Sequence, residues 1–380
     1  MKTSCRYKIR NFALAVTLSA GLGFVSPASS QVVSYLIDPN SGKVTQLGSL
    51  GGGNTQPYGI NDSGRVVGVS RTNEGFELGF ITGPDGVGIT VLDTADGSVT
   101  GINDAGQVVG WSRSGAFGHA FITGPNGRGM IALGTEAGYS RATGINNAGQ
   151  VVGFLGAFPV ESSTNAFLTG PNGEGMTFLD AGNDDSRAAA VNDAGQVVGV
   201  RGLFYTPVGP DVPSVAFITG PAGNGMTDLG TLGGSDSYAA GINDAGRVVG
   251  WSFTAGVDGP TYQHAFITGP DGKGMTDLGA LGGSHSFAYG INDAGQVVGS
   301  FETAGGGTHA FITGPDGRGM VDLNSSVNLP DGVILTDARD INNLGQVIAI
   351  GIIPEPASYA LMLSGLALVR FMVRGKKQAV

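Results

Sequence analysis

Short stretches of alternating apolar and polar residues return seven times along this chain. One stretch reads GINDAGQVVG at 101–110. Its copies begin at Gly59, Gly101, Gly144, Ala190, Gly241, Gly290 and Asp340. A second stretch, AFITGPNGRGMIALG at 120–134, alternates strictly with the first. Its copies begin at Ser34, Gly79, Ala120, Ala166, Ala216, Ala265 and Ala310. A repeat of roughly 40 to 50 residues is typical of propellers, solenoids and arrays.

Each repeat predicts four short strands, and no helical period is present within it. The segments GPNG and NDAG are turn sequences, because Asn and Asp tolerate the left-handed region and Gly supplies a positive φ. The two adjacent Val residues of QVVG point to opposite faces of their strand, so both faces of each sheet are expected to be buried. Sheets packed face to face around an axis provide that environment. The sequence therefore predicts an all-β, seven-bladed β-propeller of four-stranded repeats.

The two ends of the repeat region predict how the ring closes. The first AFIT-type strand, at 34–37, has no QVVG strand before it, and the last repeat ends at 345–351 with no AFIT strand after it. We therefore expect the N-terminal strand to complete the blade of the C-terminal repeat. An open β-solenoid or a β-sandwich array is the alternative.

Composition and charge restrict the classes of protein that the chain can represent. Of 380 residues, 41% are hydrophobic and 13% are charged, which favours a packed core over disorder. The overall charge of −10 includes four positive charges in 1–30 and a net three in 354–380, so the middle segment carries about −17. Such an acidic body repels phosphate backbones, and we expect no binding of nucleic acid.

The first 30 residues have the layout of a secretory signal peptide. A basic start is followed by the apolar run 12–25 and by SPASSQ, where cleavage after Ser30 would leave Ala28 and Ser30 at the expected small-residue positions. The only cysteine, Cys5, lies in this segment, so the exported protein is expected to have no disulfide. An amphipathic first helix of the fold is the alternative. The predicted domains are the signal helix 1–30, the repeats 31–353 and a tail 354–380.

The repeats resemble a known bacterial extracellular family. HAFITGPDGKGMTDLG at 264–279, together with GINDAGQVVG, is similar to the HAF repeat, and the resemblance covers about 31–352. The full His-Ala-Phe triplet occurs at His119, His264 and His309. The other four repeats place Val33, Leu78, Asn165 and Val215 where the His would be. The resemblance implies an exported repeat protein and no particular reaction.

The tail resembles the PEP-CTERM sorting signal of Gram-negative bacteria. Its parts are the motif Pro354, Glu355 and Pro356, the apolar run 357–369, and the basic residues Arg370, Arg374, Lys376 and Lys377. The resemblance implies recognition by an exosortase, a membrane cysteine peptidase, with cleavage near Pro-Glu-Pro and transfer to the cell surface or matrix.

The physical character of the tail agrees with that resemblance. Two prolines disfavour a helix at the motif and keep it extended. The apolar run predicts a short transmembrane helix of about 17 residues once Arg370 snorkels. The basic end favours the cytoplasm, which would leave the acidic body on the periplasmic side. A buried C-terminal core helix is the alternative.

The sequence contains no strong catalytic, metal or cofactor motif, and we expect none of the three. The repeat-position histidines would bind a metal only if they converged on the axis, and capping of a strand is the alternative. The Asn-Asp pairs resemble calcium ligands, but turn formation explains them. Trp111 and Trp251 both follow VVG, where mostly apolar residues predict packing between blades rather than ligand stacking.

The longest variable inserts follow VVG, at 155–164, 201–214 and 253–263, and equivalent connections emerge on one face of a propeller. They carry the candidate ligand-binding residues Phe158, Phe204, Tyr205 and Tyr262. Such aromatic loops would bind a sugar or a protein, with packing of the loops on themselves as the alternative.

The expected function follows from the predicted targeting signals and the predicted fold together. We expect a non-enzymatic adhesion or binding propeller that is exported, anchored briefly in the membrane, and sorted by an exosortase to the cell surface or extracellular matrix. Its partners there would be polysaccharide or other surface proteins. The alternative is a polysaccharide hydrolase or lyase, which would require a pair of carboxylates at the axis or the loop face.

Overall fold

The computed structural model describes residues 31–94, 97–114, 117–134, 138–156, 164–179, 185–202, 213–256 and 261–354. These residues form seven four-stranded antiparallel sheets, and Val32–Ile352 make one compact unit. The predicted all-β, seven-bladed propeller is therefore confirmed. The predicted signal helix and almost all of the predicted tail lie outside the described residues. Within the described ranges, no helix combines the length and apolar character that a membrane crossing requires.

The strands follow one another in chain order. The N-terminal pair is β1 (Gln31–Asp38) and β2 (Lys43–Gln46). Blade 1 has β3 (Gly51–Ile60), β4 (Val66–Thr72), β5 (Glu77–Ile81) and β6 (Thr90–Leu92). Blade 2 has β7 (Ser98–Ile102), β8 (Val108–Ser114), β9 (Phe117–Thr123) and β10 (Met130–Leu133). Blade 3 has β11 (Tyr139–Ile145), β12 (Val151–Gly156), β13 (Thr164–Thr169) and β14 (Met176–Phe178).

The remaining blades repeat this order. Blade 4 has β15 (Ser186–Val191), β16 (Val197–Arg201), β17 (Val215–Thr219) and β18 (Met226–Gly230). Blade 5 has β19 (Gly233–Ile242), β20 (Val248–Thr254), β21 (Gln263–Thr268) and β22 (Met275–Gly279). Blade 6 has β23 (Ser286–Ile291), β24 (Val297–Glu302), β25 (Thr308–Ile312) and β26 (Val321–Asp322). Blade 7 begins with β27 (Ile334–Ile341) and β28 (Val347–Ile353).

Blade 7 is completed from the other end of the chain. Its strand order is β2-β1-β28-β27, so the N-terminal strand β1 pairs with the C-terminal strand β28. The side-chain amide of Asn40 also donates to the main-chain oxygen of Leu344, across 304 residues of sequence, at 3.3 Å. The predicted closure is confirmed.

The second strand of each blade supplies the core between neighbouring sheets. Its two leading residues are fully buried in every blade: Val66 and Val67, Val108 and Val109, Val151 and Val152, Val197 and Val198, Val248 and Val249, Val297 and Val298, and Val347 and Ile348. Burial of both members confirms that each sheet packs on both faces. A Phe of the third strand, such as Phe121 or Phe266, packs into the same layer.

The Gly-Pro turns between the third and fourth strands have the conformation that their sequence predicts. Each forms a single 3₁₀ turn, at Pro84–Gly86, Pro125–Gly127, Pro171–Gly173, Pro221–Gly223, Pro270–Gly272 and Pro315–Gly317. One further 3₁₀ turn lies at Leu323–Ser325. The residue after each turn proline has φ of +54° to +60°, which Asn and Asp adopt more easily than most residues. Ala222 has this conformation in blade 4, where the sequence departs from that preference.

Candidate functional site

Candidate functional side chains line two surfaces of the ring, one at each end of its axis. The first strand of each blade lies innermost, and its Asn-Asp turn to the second strand opens at one end, which we call the turn face. The connections from the second strand to the third, and from the fourth strand to the next blade, open at the opposite end, which we call the loop face.

A closed ring of asparagines joins all seven blades at the turn face. In each blade the Asn side-chain amide donates to the main-chain oxygen of the equivalent Asn in the next blade, at 2.9 to 3.1 Å. The members are Asn61, Asn103, Asn146, Asn192, Asn243, Asn292 and Asn342. Every one is at least 95% buried. The Asn-Asp-Ala-Gly segment therefore forms the predicted turn and also ties neighbouring blades together.

A second ring lies nearer the mouth of the axis. Here the main-chain N–H of each residue after the Asn donates to a side-chain oxygen of its counterpart in the next blade, at 2.8 to 3.0 Å. The members are Asp62, Asp104, Asn147, Asp193, Asp244, Asp293 and Asn343. Five carboxylates thus surround a cavity of about 180 Å³. The pKa of Asp244 is raised, chiefly by burial, with the charges of Asp193 and Asp293 adding to the effect.

Asp340 is the unusual residue of this cavity. It occupies the position that is Gly in five other blades and Ala in one, and it lines the cavity. Its carboxylate accepts the main-chain N–H groups of Ile341 at 2.9 Å and of Ile60, in the first blade, at 3.2 Å. Burial raises the pKa of Asp340 to about 7, and the two N–H donors offset only part of that effect.

The axial carboxylates are spaced around a ring rather than paired. Their Oδ1 atoms are each held by a neighbouring N–H donor, and within the described ranges no three His, Cys, Asp or Glu side chains are grouped as a metal site would require.

The loop face carries a groove between blades 1 and 2, with a volume of about 320 Å³. Its aromatic residues are Tyr58, Phe76 and Trp111, and its charged residue is Glu77. Phe76 is 59% exposed at the rim of the groove. The volume is within the range of sites that bind small molecules, about 300 to 1,000 Å³.

Local backbone geometry places Tyr58 in this groove. Each inner strand has a register irregularity one residue before its GIN-type segment, and Tyr58 is the extra residue in β3. A β-bulge of this kind re-aims a side chain. The equivalent residues in the other blades are Thr100, Thr143, Ala189, Ala240, Tyr289 and Arg339. Burial raises the pKa of Tyr58, Glu77 raises it further, and Arg339 acts in the opposite direction.

The two tryptophans take part in contacts between blades, as predicted. Trp251 stacks on Tyr238 of its own blade with ring centroids 5.4 Å apart, and Phe287 of the next blade meets it edge-on at 5.8 Å. The guanidinium of Arg141, in blade 3, lies 4.7 Å from the centre of the Trp111 ring. The Trp111 side chain lies on the same face of β8 as Val109, which packs against blade 3, so its ring belongs to the contact between blades 2 and 3.

Two of the three histidines of the repeat form hydrogen bonds within their own blades. His264 and His309 contact the carboxylates of Asp277 and Asp322 in the adjacent fourth strand, at 2.8 and 2.7 Å. Blade 2 has Ala132 at the matching position, and Nδ1 of its His119 is buried without a hydrogen-bond partner among the described residues. In blades 5 and 6 the His of the triplet therefore links the third strand to the fourth.

Of the four loop aromatics that the sequence singles out, the structure describes Tyr262, which is 37% exposed. Phe158, Phe204 and Tyr205 lie outside the described residues, as do the sorting residues Glu355, Pro356, Arg370, Arg374, Lys376 and Lys377. Pro354 is described and exposed. Sequence reasoning missed Tyr58, Phe76, Glu77 and Asp340, although Asp340 is visible as the one acidic residue at a Gly or Ala position of the repeat.

Comparison with known proteins supports the fold. No protein-family model matches the sequence, and no curated protein is similar enough to match it. Among solved structures, a prolyl endopeptidase superposes with a TM-score of 0.55 at 10% identity, over 77% of this chain and 46% of that one. A puromycin-hydrolysing peptidase of Mycobacterium tuberculosis gives 0.51 at 12% identity, over 80% and 53%. An oligogalacturonate lyase in complex with manganese gives 0.50 at 10% identity, over 85% and 91%.

These similarities establish the propeller architecture and nothing finer, because the identities are so low. The chain spans about half the length of each of these two peptidases.

Proposed function

We propose that this chain is an exported, non-enzymatic propeller that binds polysaccharide at the cell surface or in the extracellular matrix. The observation that carries the proposal is the loop-face groove between blades 1 and 2. It combines aromatic rings with a carboxylate and a tyrosine hydroxyl in one open site. A pyranose ring has an apolar C–H face and a hydroxyl-bearing edge, and such a groove matches both.

The polar groups of the groove have the chemistry that sugar hydroxyls need. The Tyr58 hydroxyl donates to Oε1 of Gln56 at 3.0 Å, which leaves its oxygen lone pairs as acceptors. The carboxylate of the exposed residue Glu77 is a further acceptor, and Ser98 contributes a hydroxyl. The exposed ring of Phe76 offers a surface on which a sugar face would stack.

The negative charge of the protein limits the class of polysaccharide that it can bind. The body of the protein carries about −17, and Glu77 adds a negative charge inside the groove. Repulsion disfavours uronate-rich chains, so neutral and amino-sugar polysaccharides are the preferred ligands. The same argument disfavours nucleic acid.

The proposed route to the surface uses the two chain ends. Residues 1–30 direct export, and the apolar run and basic end of 354–380 hold the chain in the membrane until an exosortase acts at Pro354–Pro356. Support comes from the sequence: the basic, apolar and small-residue order of the signal, and the basic cluster that favours a cytoplasmic C-terminus.

A glycan array tests the binding function. Residues 31–353 contain all 28 strands that the structure describes, so this fragment is the natural probe. Phe76→Ala should weaken binding about tenfold or more, as truncation of an aromatic anchor commonly does. Phe178→Ala is the matched control, because Phe178 is 50% exposed on the outer strand β14. Failure of the fragment to bind any glycan would refute the proposal.

A polysaccharide hydrolase remains the second candidate, and one observation favours it. Asp340 has a pKa of about 7 and lines a cavity ringed by carboxylates, which is the kind of environment that a general acid needs. Release of reducing ends from a polysaccharide panel, abolished by Asp340→Asn, would replace the binding function with this one.

A further inference from the structure

We propose that the loop face carries a second glycan-binding platform, formed by Tyr262, His264 and His285 at the boundary of blades 5 and 6, so that the propeller is bivalent. This inference rests on the proposed function, because it assigns a second site for the same class of ligand. The two sites lie on the same face of the ring, since Phe76 and Tyr262 belong to equivalent connections of blades 1 and 5.

Three rings form the surface of the platform. The rings of Tyr262 and His264 are nearly parallel, with centroids 6.5 Å apart and an angle of 14° between planes. His285 meets Tyr262 edge-on, at 5.9 Å and 71°. The main chain at Tyr262 is tied to β20, because the Thr254 N–H donates to the Tyr262 carbonyl oxygen at 2.9 Å. The aromatic surface is therefore held in place rather than carried on a free loop tip.

The polar atoms around these rings are complementary to sugar hydroxyls. The Gln263 N–H donates to Nδ1 of His285 at 3.1 Å, so a neutral His285 carries its proton on Nε2 and can donate there. Nδ1 of His264 lies 2.8 Å from the Asp277 carboxylate, so a neutral His264 presents Nε2 as an acceptor. Neither Nε2, nor the Tyr262 hydroxyl, has a hydrogen-bond partner within the described part of the chain.

A run of further rings supports the platform from behind. Phe287 stacks on His285 with centroids 6.5 Å apart, and Trp251 meets Phe287 edge-on at 5.8 Å. Support of this kind reduces the conformational entropy that a ligand must restrict on binding.

Bivalence follows from the position of the two sites. The boundary of blades 1 and 2 lies nearly across a seven-blade ring from the boundary of blades 5 and 6. A trisaccharide fills one site at a time, whereas a long polysaccharide engages both. The second contact is then intramolecular, and the apparent affinity for polymer exceeds that for the short oligomer.

The experiment compares polymers with short oligomers, using the full-length chain in a mild detergent. The probes are hydroxyethyl cellulose with cellotriose and glycol chitosan with the chitosan trisaccharide, and calorimetry measures stoichiometry and affinity. The wild type should bind two trisaccharides and should bind polymer at least about tenfold more tightly than trisaccharide. Tyr262→Ala should reduce the stoichiometry to one trisaccharide and should remove the higher affinity for polymer. Tyr262→Phe, which keeps the aromatic ring, should retain most of the higher affinity for polymer. Phe178→Ala should behave as wild type.

The remaining outcomes separate the second platform from the proposed function. If Phe76→Ala weakens binding but Tyr262→Ala leaves stoichiometry and polymer affinity at wild-type values, the second platform is refuted and the groove stands. If the wild type binds neither polymer, both proposals are overturned.

Discussion

The side-chain amide of Asn342, in the last blade, donates to the main-chain oxygen of Asn61, in the first, at 3.0 Å. This bond closes the asparagine ring across 281 residues of sequence. The same Asn342 amide donates to Oε1 of Gln346 at 2.8 Å, and its oxygen accepts the Gln346 N–H at 2.9 Å. One buried side chain therefore forms a turn and fixes the neighbouring blade.

Asn342→Ala should lower the free energy of unfolding by about 1–3 kcal/mol, because a buried main-chain oxygen of Asn61 loses its donor. Urea denaturation measures the change. Leu344→Ala is the control, since Leu344 is 61% exposed in the same turn and should cost less than about 0.5 kcal/mol. Equal effects of the two substitutions would contradict a role for the ring in stability.

Asp340 should make the stability of the fold depend on pH between the acidic and the neutral range. Its pKa is raised from an ordinary 3.8 to about 7 in the folded protein, so the folded state binds a proton that the unfolded state releases. Stability should therefore fall as pH rises from about 4 to about 7, by a total on the order of a few kcal/mol. Thermal unfolding of the wild type and of Asp340→Asn between pH 4 and pH 8 should show a smaller slope for the variant. Parallel curves would contradict the assignment.

Ala132→Asp should stabilise the protein by restoring a missing partner. His119 lacks the carboxylate that His264 and His309 have in their blades, and its Nδ1 is buried without a partner among the described residues. We expect a gain of about 0.5–1.5 kcal/mol by urea denaturation. In a His119→Ala background the same Asp should give no gain, and a gain that persists there would show that it does not come from the histidine.

Glu355→Ala should block sorting. If an exosortase reads Pro-Glu-Pro, this variant accumulates in the inner membrane with its tail uncleaved, whereas wild-type protein reaches the surface or medium in shortened form. Immunoblots of membrane and medium fractions, with Gln378→Ala beyond the basic cluster as a control, measure the difference. Normal release of Glu355→Ala would refute the proposed motif.

The repeat pattern predicted the fold in detail because the relevant signals are local. The paired apolar residues of QVVG indicate burial on both sides, the Gly-Pro turns indicate left-handed residues such as Asn126, and the unmatched end strands indicate the pairing of β1 with β28. Each of these depends on neighbours within a few residues or on the count of copies.

The sites were harder to predict because their residues come together only in the closed ring. The Asn-Asp pairs form turns locally, but their contacts with the next blade span 42 to 51 residues within the ring. The long inserts of the sequence led to Tyr262, which lies on the loop face. Phe76 was missed because it lies in the short loop between β4 and β5. Tyr58 reaches the groove through a bulge, and a bulge leaves little trace in a single sequence.

The pairing of β1 with β28 also sets the order in which the molecule can form. The strand β1 can pair with β2 at once, but its other partner, β28, is made only with the last blade, so no intermediate of synthesis has a closed ring. Until then the facing edges of β1 and β28 stay unpaired, and blade 7 is incomplete. Closure of the ring is therefore a late step of folding that follows the synthesis of all seven blades.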